Sequence, residues 1–128
     1  MVNASLAEIL TSEDRVRIIQ EYVPGCQVTL AHIIASPDKI LYQKLGLDPK
    51  IDYERAAIGI TTVTPSETAI IMADIAMKSS GITLGFVDRF SGSLIFTGTV
   101  SEVEAGMQAL LEYVRDQLDY TVCPITKT

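Results

Sequence analysis

The chain has 128 residues, the size of one domain with a single core, and a formal net charge of −6 without any cluster of Lys or Arg. That balance argues against a surface that tracks nucleic-acid phosphates. Hydrophobic residues make up 48% of the chain and aromatics only 6%, which points to a packed globular domain over a disordered one. No apolar run reaches the roughly 18–20 residues of a membrane span, and the acidic start MVNASLAEILTSEDR lacks the basic region of a secretory signal. No nucleic-acid or membrane partner is expected.

Residues 1–17 form an N-terminal extension, with Leu6, Ile9 and Leu10 at helical spacing behind the capping pair Ser5 and Glu8. Ile18-Ile19-Gln20-Glu21-Tyr22-Val23 reads as a short strand closed by the turn Pro24-Gly25. Gln27 to Ala35 (QVTLAHIIA) is a second strand, apolar on both faces. Pro37 opens a brief helix, Asp38 to Leu45, which Gly46 ends, and Asp48 to Arg55 is a polar connection.

Ala56 to Val63 is the next strand. Thr64-Pro65-Ser66-Glu67 then predicts a helix start, with Thr64 as cap and Glu67 closing a capping box. That helix runs to about Ser80, and its apolar residues go nearly all the way round, which predicts burial on two sides. Gly85 to Gly98 (GFVDRFSGSLIFTG) reads as a hairpin. Ser101 and Glu104 are expected to cap a last helix whose stripe of Val103, Met107, Leu110, Leu111, Val114 and Leu118 suits a sheet face.

From the third strand onward the order is β-α-β-β-α, a ferredoxin-like split βαβ unit without its final strand. Gln27 to Ala35 can supply that strand from upstream, so the chain reads as circularly permuted. The expected fold class is therefore α/β (α+β), with packed helices on an antiparallel sheet and one domain over residues 18–128. The strand 18–23 is left without a partner. Copies of the same strand from neighbouring subunits would cover it.

Catalytic chemistry finds no support. The single histidine, His32, reads as a core or interface residue sharing a strand face with Val28, Leu30 and Ile34. No serine or cysteine has a histidine partner, and Gly81, Gly85 and Gly92 match no phosphate-binding loop. Cys26 and Cys123 form no CxxC pair and read as reduced thiols. Neither an enzyme activity nor a metal site is expected. Asp88 and Arg89 read as a hairpin or inter-subunit ion pair, or else as a ring of alternating charge in an oligomer.

The run Ile18 to Gly25 followed by Gln27-Val28-Thr29-Leu30-Ala31-His32 resembles the permuted shell proteins of bacterial microcompartments. This is the PduU/EutS type of the propanediol- and ethanolamine-utilisation organelles. Thr64-Pro65-Ser66-Glu67, Gly85 to Gly92 and the ending Ile125-Thr126-Lys127-Thr128 carry the same resemblance. It implies a BMC domain and a homohexamer that tiles into a polyhedral shell in the bacterial cytoplasm. The implied partners are other shell proteins and encapsulated enzymes.

The resemblance further implies that Ile18, Ile19, Gln20, Glu21, Tyr22 and Val23 form an axial β-barrel, a closed structure with no open edge. Asp88, Arg89, Phe90, Ser91, Gly92 and Ser93 would surround the pore beneath it, and Lys78 would stand at the hexamer edge. Cys26 replaces a lysine of the family pattern. Repeated around an axis it would be a candidate thiol for an iron–sulfur cluster, set against a plain reading as a small buried thiol with no cofactor. The alternative function is a ferredoxin-like regulatory domain binding a small metabolite between subunits, supported by fold analogy alone.

Overall fold

A computed structural model describes residues 25–51 and 56–128. The predicted barrel strand Ile18–Val23 and the 1–17 extension lie outside the described residues. The elements are β1 (Gln27–Ile34), α1 (Lys39–Lys44), β2 (Ala57–Thr64), α2 (Thr68–Ser79), β3 (Thr83–Asp88), β4 (Ser93–Gly98), α3 (Val100–Asp116) and β5 (Thr126–Lys127).

The strands form one sheet in the order β3-β4-β2-β1-β5. The β1–β2, β2–β4 and β3–β4 pairs are all antiparallel. With β1 moved to the chain end this is the strand order of a split βαβ fold, so the permuted arrangement expected from sequence is the one observed. β1 lies inside the sheet, as its apolar faces predict, because the two-residue β5 pairs with its outer edge.

Helices α2 and α3 cover one face. Their contact buries Ala69, Met72 and Ala76 of α2 and Val103, Met107, Leu110 and Val114 of α3 against Val28, Ala31, Ile33, Leu94 and Phe96 of the sheet. Small residues permit this approach. A Cβ at Gly59 would fall 2.7 Å from the Phe96 ring and 3.1 Å from Val103 Cγ1. The opposite face carries a smaller cluster of Tyr42, Leu47, Ile58 and Ile95 under α1. The Tyr42 hydroxyl fastens α1 to the sheet by donating to the Ala56 carbonyl at 2.6 Å.

Three local expectations are corrected. The α2 start is not a Thr64 capping box: Thr64 is still paired with Gln27 as the last residue of β2, and the Thr64–Pro65 peptide is cis. The N-cap is Glu67, in helical conformation with no side-chain cap bond. Main-chain bonds from Thr68 N, Ala69 N and Ile70 N to Pro65 O, Ser66 O and Glu67 O, each 3.1 Å, serve the first turn instead.

Helix α3 starts two residues earlier than expected. Thr99 is the cap and Glu102 its partner, with Glu102 N donating to Thr99 Oγ1 at 3.1 Å and Thr99 N to Glu102 Oε1 at 2.9 Å. Glycines make room for Glu102, since a Cβ at Gly81 or Gly98 would lie 2.6 or 3.0 Å from its carboxylate.

The third correction concerns β1. A bulge between Val28 and Leu30 places Val28 in the helix-side core with Ala31 and Ile33, so it does not share the face of His32.

Candidate functional site

The hairpin tip is built from β3 and β4, whose pairing ends at Asp88 and Ser93. An aspartate followed by Ser and Gly favours a turn in which the carboxylate caps its own loop. Asp88 Oδ1 accepts from Phe90 N and Oδ2 from the Ser91 hydroxyl, both at 2.9 Å, while Gly92 N donates to Asp88 O at 2.8 Å. The Phe90 amide, then the Ser91 hydroxyl, hold the Asp88 carboxyl below the usual carboxylate range.

Asp88 is therefore engaged within the turn. Arg89 lies over the Phe90 ring, its Cζ 4.9 Å from the centroid, and Phe90 is 79% exposed. The tip thus presents a cation on an aromatic ring while its acid faces the loop's own donors.

Where the tip stands is set by Val63. Its amide donates to Gly92 O at 3.1 Å, and its register partner on β1 is Val28. The start of β1, the end of β2 and the 89–92 loop consequently share one end of the sheet. The chain therefore enters β1 at the end of the sheet that carries the tip. Asp88, Arg89, Phe90, Ser91, Gly92 and Ser93 come together as one loop, and exposed Cys26 lies at the same sheet end.

Lys78 stands in the last turn of α2, where a cation complements the helix dipole. Its ammonium pairs with Asp74 at 2.8 Å, and the hydrogen bond it donates to that carboxylate is the main cause holding its pKa above the ordinary value. Around the pair lie Ile70, Ile71 and Met77, 49%, 42% and 50% exposed. The two-sided apolar character of the helix is thus real: one side is core, and the other is an open apolar surface split by one ion pair.

Cys123 is half-buried, and burial pushes its thiol pKa up. Among the described residues no group of three or more His, Cys, Asp or Glu side chains could hold a metal ion. One exposed Cys26 does not fit an iron–sulfur cluster within a single chain. No described helix is long and apolar enough to cross a membrane.

Sequence reasoning missed the chain's end. Thr121 N donates to Cys26 O at 3.1 Å, Val28 N to Thr121 O at 2.9 Å and Thr128 N to Ile33 O at 2.9 Å, so the C-terminal segment runs along β1. His32 is bound there by hydroxyls, with Nδ1 2.5 Å from Thr126 Oγ1 and Nε2 3.0 Å from Thr128 Oγ1. A lone histidine on an apolar strand needing polar partners, and two threonines spaced for one strand face, were the signals available.

The sheet order and the two helices packed on one face define a permuted split βαβ domain. The family model for the BMC domain matches residues 57–126. The chain belongs to the BMC-domain family. It is 50% identical over 112 residues to the bacterial microcompartment shell protein PduU of Salmonella typhimurium (strain LT2), covering 88% of this chain and 93% of that one. It is 46% identical over 115 residues to the shell protein EutS of Escherichia coli (strain K12), covering 90% and 99%. The solved CutR flat hexamer, form 1, superposes with a TM-score of 0.75 at 47% identity, covering 88% of this chain and 99% of that one.

Proposed function

We propose that this chain is a structural subunit of a bacterial microcompartment shell, assembling as a hexamer that tiles with its copies. The observation that carries this reading is the match of nearly the whole fold to a flat hexamer at 47% identity. The open apolar surface of α2 and the absence of a catalytic cluster among the described residues support it. A metabolite-sensing domain of similar fold is not favoured, because the similar proteins are shell proteins and not sensors.

Within that assembly Asp88 to Ser93 line the central pore, and Ile18–Val23 continue from β1 into a small barrel over it. The shared sheet end of the β1 start and the tip supports this placement, since the barrel strand then leaves beside the loop it covers. Lys78 exchanges Asp74 for acceptors on a neighbouring hexamer at the tiling edge. Other shell proteins, encapsulated enzymes and a bacterial cytoplasmic setting complete the reading. The role needs no cofactor; a cluster at Cys26 would require thiols from several subunits around the axis.

Electron microscopy of the purified protein without added ligand tests the reading. Hexagonal arrays are expected. A dispersed protein that gains thermal stability only with a small metabolite would overturn it.

A further inference from the structure

The C-terminal strap is held to β1 by polar contacts. Residues 124–128 are all exposed, so their side chains contribute little burial. Thr128 N and O bond Ile33 O and Ala35 N at 2.9 and 2.8 Å, Lys127 pairs with Glu104, and the two threonine hydroxyls grip both nitrogens of His32. In a neutral imidazole one nitrogen donates and the other accepts, and a hydroxyl serves either need. A segment fixed by solvent-facing hydrogen bonds, without a core of its own, opens at lower cost than the strands beneath it.

It covers the second half of an eight-residue strand, QVTLAHII, that has no charge or proline, pairing at His32 and Ile33. Such an edge, once bare, offers unpaired N–H and C=O groups and an apolar pattern that templates pairing. Charges and bulges usually protect edges of this kind. β1 has a bulge near its start, between Val28 and Leu30, so its second half relies on the strap.

We propose that the last residues of the chain are a releasable guard, latched on His32 by Thr126 and Thr128. The β1 edge beneath is a strand-pairing surface for a second copy of this chain. The second copy is the fitting occupant because antiparallel β1–β1 pairing is self-complementary across a two-fold axis. The strand is also uncharged, so its own copy meets no like-charge repulsion. The proposal does not depend on the shell reading, since it concerns a sheet edge whatever the native oligomer.

The test uses the full chain with Thr126→Val and Thr128→Val together, which keep strand-forming shape and remove only the hydroxyls. Hydrogen exchange at the Ala35 amide should accelerate by about tenfold or more, while amides of β2 stay protected. Sedimentation velocity in the same samples should show a species of twice the native mass. Thr126→Ser with Thr128→Ser should restore both readouts. Unchanged exchange at Ala35 would overturn the latch. Faster exchange with only the native species would overturn the pairing surface.

Discussion

Gly92 and Val63 meet so closely that a Cβ at position 92 would lie 2.2 Å from the Val63 carbonyl oxygen, and Gly92 also has φ +80°. Two demands fall on one residue: a left-handed backbone and bare contact with the neighbouring strand. Gly92→Ala should therefore lower stability by about 2 kcal/mol or more, through backbone strain and displacement of the loop. Urea unfolding of wild type and variant checks this. Equal midpoints would mean that the tip can shift freely, and that its link to β2 does not position it.

Thr61 is fully buried on β2, and its hydroxyl has no hydrogen-bond partner among the described residues. Valine has nearly the same shape without the unmet polar group. Thr61→Val should raise stability by about 1 kcal/mol. Loss of stability in a denaturant titration would show that the hydroxyl is satisfied in the full assembly.

Asp88 supplies a pH signature. Its folded pKa is depressed, chiefly by the Phe90 amide, so its contribution is present above the ordinary carboxylate value and is lost as pH falls through the folded one. The loop should loosen below roughly pH 4, seen as faster exchange at the Phe90 and Gly92 amides. Asp88→Asn should remove the pH dependence of those two amides. A variant that keeps the wild-type acid transition would assign it to another group.

The permuted order was legible because it rests on long signals: the doubly apolar run of β1, the all-round apolar helix and the one-sided stripe of α3. The α3 cap was not, since Thr99–Glu102 and Ser101–Glu104 are overlapping boxes of equal local quality. Packing chose between them, by leaving space for Glu102 beside Gly81 and Gly98. The strap was invisible for another reason. Its partner strand lies 94 residues away at His32–Thr126, and two paired residues leave no periodicity to read. The hairpin itself was legible, but the internal capping by Asp88 separates it from Arg89 in a way that adjacent opposite charges do not suggest.

Lys78→Asp places a second acid one turn from Asp74 and removes the donor proposed for the tiling edge. Hexamers should persist on size exclusion while sheets disappear under the electron microscope. Sheets identical to wild type would remove Lys78 from the edge, and loss of the hexamer would place it within the ring.

The central claim is that the chain forms a closed hexameric ring by itself, and native mass measured at micromolar concentration tests it most directly. One dominant species at six times the 13.9 kDa of the chain is expected, without any added ligand. A stable monomer at that concentration, with the open apolar surface of α2 left in solvent, would contradict it.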